Sequence, residues 1–156
     1  MMIDFREIRV MNCLYFRLPD KGSTNNICVV RRVDYGSCCN GIGGYLRTRW
    51  DANYDRDASF DDSYYFPIPI NEELLLKLGF KKEVEDITKD KRYRLRLNGF
   101  CIDINKYSNT IGRDYSVHID NLCCDSVLSG DIQYLHQLQN YIYDATKQEL
   151  NIENIL

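Results

Sequence analysis

Apolar and polar residues alternate in short runs along the chain, and alternation with a period of two is typical of half-buried β-strands. In the first third of the sequence these runs cover residues 5–18, 27–33 and 45–50, and clusters of turn-forming residues separate them. The run Gly-Ile-Gly-Gly at 41–44 breaks the alternation and predicts a flexible turn. The N-terminal part is therefore predicted to be a small twisted sheet or a β-barrel-like part built from short strands.

The same alternation returns in the second half, at residues 92–97, 100–104 and 115–120. The Asn98-Gly99 pair between the first two of these segments is the strongest short-range signal for a β-hairpin. We therefore predict an antiparallel β-meander in this half of the chain.

Two segments carry the signals of α-helices. Residues 71–79 begin at Asn71, a favourable N-cap, and end at Gly79, a common helix stop. Residues 132–148 place apolar side chains along one side of a helix, with Asp131 as the predicted N-cap. The order of strands, short middle helix, β-meander and C-terminal helix predicts an α+β fold with mainly antiparallel sheet, in which the last helix lies across the second sheet.

No internal repeat, low-complexity segment or proline-rich linker divides the sequence, so we predict a single domain, 1–156. Residues 51–63 are rich in aspartate and almost free of aliphatic side chains, which predicts an acidic surface loop. This loop is a candidate hinge between two lobes, 1–50 and 64–156. Its aspartates lack the spacing and the closing glutamate of a calcium-binding loop, so we expect no calcium site there.

The composition fits an ordinary globular protein, since 44% of the 156 residues are hydrophobic and 28% are charged. The net charge is −3, whereas a protein that binds duplex nucleic acid usually carries an excess of basic residues. No apolar run approaches the roughly 20 residues that span a bilayer, and the N-terminal sequence lacks the pattern of an export signal. We therefore expect no membrane association and a cytoplasmic location.

Cysteine is abundant, with seven residues, but the number is odd and no Cys-x-x-Cys motif occurs. With only two histidines, nothing in the spacing indicates a zinc site. Reduced thiols are the expectation for a chain without an export signal. We expect no metal and no other cofactor.

The sequence contains no recognisable catalytic motif, such as a nucleophilic serine or cysteine with its base. His118 alternates with the apolar residues of its predicted strand and is expected to face solvent. His136 lies beside Leu135 on the predicted last helix, where a histidine usually fills a polar gap at the edge of a core. We therefore predict that the protein is not an enzyme.

Arginine and tyrosine are the unusual feature, since 12 of the 20 basic residues are arginine and the chain has 12 tyrosines. Arginine binds phosphates bidentately and stacks on nucleobases, and aromatic side chains offer further stacking surface. Two predicted strands project arginines from one face, Arg92, Arg94 and Arg96 on one strand and Arg47 and Arg49 on the other. These arginines, with Tyr45 and Trp50 as stacking surface beside the second group, are the candidate ligand-binding residues. The alternative is that these arginines pair with nearby aspartates on a solvated sheet face.

Three segments carry a resemblance to known proteins: Glu7–Asn12, Pro67–Phe80 and Tyr134–Tyr141, the last followed by Glu149-Leu150. Their order and spacing resemble those of short uncharacterised proteins of Bacteroides-type gut bacteria and of their phages and prophages. Met11 stands where those proteins usually have a glycine. The resemblance implies a bacterial host cell as the source and implies no activity.

Two functions follow as hypotheses. The first is a small non-enzymatic phage-type binding protein that sequesters a nucleotide-like or phosphate-bearing small molecule, such as a host defence signal. The alternative is a protein-interaction module that binds or inhibits a host protein. We also expect a homodimer that covers exposed strand edges, with the ligand pocket beside its interface. Replacement of Arg94 by glutamate is expected to abolish ligand binding and to leave the melting temperature nearly unchanged, because exposed ion pairs contribute little.

Overall fold

The computed structural model describes residues 8–16, 26–38, 41–51, 54–59, 65–84, 91–107, 115–122 and 126–155. Side chains are described for the narrower ranges 8–15, 27–30, 65–83, 91–107, 115–122 and 128–155. The chain divides into two compact units, Met1–Ile68 together with Leu156, and Pro69–Ile155. Each unit contains one five-stranded antiparallel sheet.

The sheet of the first unit has the strand order β4-β3-β2-β1-β5. Its strands are β1 (Cys13–Phe16), β2 (Asn26–Cys38), β3 (Gly41–Asp51), β4 (Tyr54–Ser59) and β5 (Tyr65–Phe66). The described strands form an open sheet, because β4 and β5 lie at opposite edges and do not pair with each other. The N-terminal part is thus a sheet, and its β-barrel-like alternative was wrong.

Two segments that the sequence predicted as turn or loop are strands. The glycine run at 41–44 begins β3 and pairs with the end of β2, Gly43 opposite Gly36. Backbone hydrogen bonds need no side chain, so a long hairpin can continue through glycines that interrupt the alternation. Part of the predicted acidic loop is β4, in which Asp55 and Asp57 stand opposite Arg49 and Arg47. An edge strand can be as polar as this one because it need not bury either face in a core.

A tight turn precedes β1. Met11 has a φ of 72°, in the left-handed region that favours glycine. The Asn12 side chain is fully buried and accepts a hydrogen bond from the Arg9 backbone N–H, at 2.8 Å. The Met11 N–H in turn donates to the carbonyl of Val30 on β2, at 2.7 Å. The turn therefore forms with methionine in a backbone conformation that favours glycine.

The sheet of the second unit has the order β10-β9-β8-β7-β6. Its strands are β6 (Lys81–Val84), β7 (Lys91–Leu97), β8 (Phe100–Lys106), β9 (Tyr115–Asn121) and β10 (Ser126–Ile132). The predicted meander is β7 to β9, and the two edge strands were not predicted. The hairpin at Asn98-Gly99 is confirmed, because Leu97 pairs with Phe100 and both turn residues have positive φ.

The short middle helix, α1 (Glu72–Lys77), has the predicted cap: Asn71 Oδ1 accepts a hydrogen bond from the Leu74 N–H at 2.8 Å. Gly79 follows it with a φ of 89°. The last helix, α2, runs over Leu135–Thr146. Asp131 is not its N-cap, because β10 continues through that residue.

The N-cap of α2 is Tyr134, and Gln137 Oε1 accepts a hydrogen bond from the Tyr134 N–H at 3.2 Å. The two helices and the antiparallel sheets confirm the α+β class. No helix in the described parts of the chain is both long and apolar enough to cross a membrane.

Alternation along β7, β8 and β9 gives the second sheet an apolar and a polar face. The apolar face forms the core of the unit, and α2 packs against it at β9 and β10. The end of α1 lies over β7, where the Leu95 side chain comes to 3.8 Å from the position a Cβ on Gly79 would occupy. The fully buried residues of this face include Tyr93, Ile102, Ile104, Val117 and Ile119.

Candidate anion-binding site on the second sheet

Charged and polar side chains occupy the opposite face of the same strands. The pairing register sets Arg94 beside Asp103, and Asp103 beside His118. One step along the strands, Arg96 stands beside Cys101, which stands beside Asp120. The predicted placement of Arg92, Arg94 and Arg96 along one face of a strand agrees with this register.

Arg94 is held in place by two carboxylates. Its Nε and Nη2 donate to Oδ1 and Oδ2 of Asp103 at 2.7 and 2.9 Å, which is a bidentate pair. Its Nη1 donates to Glu83 Oε1 at 3.1 Å. The hydrogen bonds to Asp103 raise the pKa of Arg94 above its usual value, so its charge is permanent.

The partner of Arg94 is nearly inaccessible, since Asp103 is only 8% exposed. A carboxylate buried to this degree depends on its hydrogen-bonded cation. The expectation that Arg94 forms a dispensable surface ion pair was therefore wrong. The Arg94 guanidinium is a structural group of the polar face, because it joins Asp103 of β8 to Glu83 of β6.

Arg96 differs from its neighbours on β7. It is exposed, and it has no hydrogen bond or ion pair with any residue that the structure describes. Arg92 is half-buried, and its Nε donates to Asn105 Oδ1 at 3.3 Å. Arg96 is therefore the one of the three predicted arginines whose guanidinium is available to a ligand within the described part of the chain.

A pocket of about 420 Å³ opens beside Arg96, a size within the range of small-molecule sites. Strand β6 begins at Lys81, opposite Arg94, so residues 95–97 of β7 have no strand partner on that side in the described ranges. The pocket lies at this notch in the sheet edge. Its lining consists of Gly79, Lys81, Glu83, Arg94, Leu95 and Arg96.

The pocket carries three cationic side chains and one carboxylate. Arg94 already shares its charge with Asp103 and Glu83, whereas Lys81, like Arg96, is exposed and has no ion-pair partner among the described residues. Cations within a partly enclosed, low-dielectric cleft attract an anion more strongly than they would in open solvent. The arrangement can hold a phosphate or a carboxylate.

Lys81 and Glu83 are the site residues that sequence reasoning missed. They belong to β6, whose sequence Lys-Lys-Glu-Val has too few apolar residues to indicate a strand. The only signal was the pair of apolar residues Phe80 and Val84 on either side of the charged run.

The other predicted binding residues, Tyr45, Arg47, Arg49 and Trp50, lie in β3 of the first unit. Their backbone pairs with β2 and β4, and their side chains are outside the described residues. Of the predicted binding residues, the structure therefore describes the side chains of those in the second unit alone: Arg92, Arg94 and Arg96.

The thiols of the described residues lack the environment that activates a nucleophilic cysteine. Cys13, Cys28 and Cys101 form no disulfide bond. Burial raises the pKa of Cys28 to about 12. The pKa of Cys101 is also raised, mainly by burial and to a smaller extent by the negative charge of Asp103. Both thiols are therefore protonated at neutral pH and poor nucleophiles. The other four cysteines lie outside the described side chains.

His118 Nε2 lies 3.1 Å from Asp120 Oδ1, and His136 is buried on α2. Within the described ranges, no cluster of three or more histidine, cysteine, aspartate or glutamate side chains is arranged to hold a metal ion.

In comparisons with known proteins, no protein-family model, no curated protein and no solved structure matches the chain.

Proposed function

We propose that this protein is a small non-enzymatic binding protein that holds a phosphate-bearing, nucleotide-like molecule in the pocket at the notch of the second sheet. The observation that carries the proposal is that two exposed cations, Lys81 and Arg96, line one small pocket. Neither has an ion-pair partner among the described residues. Lysine and arginine side chains placed together in this way have the chemistry of a phosphate site.

Arg94 supports this pair. Its bidentate bond to Asp103 fixes the guanidinium before any ligand arrives, so binding loses little of its side-chain entropy. Three of its N–H groups are used in the described structure, and a guanidinium has five, so two remain for a ligand. The other two lining residues, Gly79 and Leu95, are uncharged and leave the pocket a part where a nucleobase or sugar meets no further charge.

The biological role belongs to the same proposal. The resemblance to phage and prophage proteins favours a protein that sequesters a host signalling nucleotide, acting in the cytoplasm of the bacterial host cell. The homodimer also stays a prediction, which size-exclusion chromatography with light scattering tests directly.

Calorimetric titration with a panel of probes tests the proposed function: inorganic phosphate, adenosine 5′-monophosphate, cyclic mono- and dinucleotides, and ADP-ribose. We expect at least one probe to bind and to raise the melting temperature, since a ligand at 100 times its Kd adds about 2.7 kcal/mol of stability. Lys81→Ala and Arg96→Ala should each weaken binding about tenfold or more, because each removes a charge-assisted hydrogen bond.

Lys77→Ala is the matched control. Lys77 is an exposed lysine on α1 that pairs with Glu73 and does not line the pocket. Its replacement should leave binding unchanged. If no phosphate-bearing probe binds, or if Lys77→Ala weakens binding as much as Lys81→Ala, the pocket is not a phosphate site, and the protein-interaction module becomes the better hypothesis.

A further inference from the structure

A carboxylate lines the pocket together with its cations. Glu83 Oε1 accepts a hydrogen bond from Arg94 Nη1 at 3.1 Å, and its side chain is 40% exposed. No described residue donates to its second oxygen, Oε2. A bare phosphate in this pocket would therefore meet a like charge as well as the cations, at a cost in affinity.

The charges of the pocket are separated along the strand. Lys81 and Glu83 are two residues apart on β6, so their side chains leave the same face roughly 7 Å apart. Lys81 stands opposite Arg94, and Glu83 stands opposite Arg92, away from the notch where Arg96 lies. The pocket thus has a cationic end, with Lys81 and Arg96, and an acidic end at Glu83.

We infer, as an extension of the proposed function, that the ligand is a ribonucleotide whose phosphate lies against Lys81 and Arg96 and whose sugar hydroxyls donate hydrogen bonds to Glu83. A carboxylate oxygen accepts hydroxyl donors strongly, and an acidic side chain that binds the ribose hydroxyls is a recurrent solution in nucleotide sites. A nucleotide carries its anion and its sugar hydroxyls on opposite sides of one sugar ring, which suits the two ends of the pocket. The Glu83 carboxylate then selects against free phosphate.

Three probes test this assignment in the full-length protein: adenosine 5′-monophosphate, its 2′-deoxy analogue and inorganic phosphate. We expect the ribonucleotide to bind about tenfold more tightly than the deoxynucleotide, because the analogue leaves a carboxylate lone pair without its donor. Inorganic phosphate should bind more weakly than either. The measurement is calorimetric titration at fixed ionic strength.

Glu83→Ala should bring the ratio between the two nucleotides close to one and should strengthen the binding of inorganic phosphate. Glu83→Gln keeps an oxygen acceptor without the charge and should retain part of the preference. The matched control is Glu73→Ala, an exposed glutamate on α1 outside the pocket, which should leave the ratio unchanged. Far-UV circular dichroism checks that each variant is folded.

Equal affinity of the wild-type protein for the two nucleotides, or a ribose preference that survives Glu83→Ala, overturns this inference and leaves the proposed function in place. Failure of every phosphate-bearing probe to bind overturns the proposed function, and this inference with it.

Discussion

The two faces of the second sheet are made from alternate residues of the same strands, yet they use their side chains differently. On the apolar face, residues such as Tyr93 and Ile104 are completely buried in the core of the unit. On the polar face, Arg94 is committed to Asp103, while Arg96 has no partner in the described structure. Identical residue types two positions apart thus have different tasks.

The neighbouring strands explain this difference. Arg94 lies between Lys81 of β6 and Asp103 of β8 and is enclosed on both sides. Arg96 has Cys101 on β8 as its only strand neighbour in the described ranges. The first residue of β6, Lys81, pairs with Arg94, so β6 does not reach the level of Arg96 two positions further along β7. The length of an edge strand therefore decides which arginine is structural and which is available to a ligand.

The largest effect is expected from Arg94→Ala, which leaves the buried Asp103 carboxylate without its cation. We expect the free energy of unfolding to fall by about 2–3 kcal/mol, somewhat less than for a fully buried pair because Arg94 itself is 28% exposed. Urea denaturation measures it. Replacing Arg94 and Asp103 together by leucine should cost less than Arg94→Ala alone. If the double leucine variant lost as much stability as Arg94→Leu and Asp103→Leu lose together, this account would be contradicted.

The apolar face is tested by Gly130→Ala on β10. A Cβ at Gly130 would overlap the hydroxyl and the ring of Tyr141 on α2, so the tyrosine must move. Overpacking of this kind costs about 1–3 kcal/mol, and the half-buried position of Tyr141 favours the lower half of that range. Removing the ring in Gly130→Ala/Tyr141→Ala should abolish the clash. An unchanged melting temperature in the single variant would show that α2 packs more loosely than the structure indicates.

A smaller, pH-dependent effect is expected at Glu72, which joins α1 to two strands. Its carboxylate accepts hydrogen bonds from Lys82 Nζ at 2.7 Å and Lys91 Nζ at 3.1 Å, and these bonds lower the pKa of Glu72 from 4.5 to about 2. The resulting stabilisation is complete above pH 4.5 and is lost as the pH falls through 2.

The check is the difference in unfolding free energy between the wild type and Glu72→Gln, measured by denaturation at several pH values. This difference should be constant at neutral pH and should shrink between pH 4.5 and 2. Glu73→Gln provides the control, because Glu73 is largely exposed. A difference that stays the same from neutral pH down to 2 would mean that Glu72 does not titrate as a bonded carboxylate.

The smallest effect on stability is expected from Arg96→Ala. An exposed side chain without an ion pair contributes within about 0.5 kcal/mol, so denaturation curves should nearly coincide with those of the wild type. Ligand binding should change instead. A loss of stability comparable to that of Arg94→Ala would remove the distinction between the two arginines.

Local signals made much of this fold predictable. The Asn98-Gly99 turn and the Asn71 cap were found because each depends on a few adjacent residues and on backbone geometry that few residue types adopt. The edge strands β6 and β10 were missed because an edge strand buries little and shows weak alternation. Asp131 was misassigned as a cap for the same reason, since nothing near it indicates that β10 continues.

The candidate site was only half predictable. Alternation correctly placed Arg92, Arg94 and Arg96 on one face, because side-chain direction follows from strand geometry. The difference between Arg94 and Arg96 depends on which residues stand beside them on other strands. That register is a long-range property, and no pattern within β7 contains it.

The short connection between β7 and β8 also has a kinetic consequence. Arg94 and Asp103 are separated by only nine positions in the sequence, across a two-residue turn. A hairpin this local closes with a small loss of chain entropy and forms on a time scale of about 1–10 μs. The hairpin register alone places the Arg94 guanidinium beside Asp103, whereas its bond to Glu83 also requires β6.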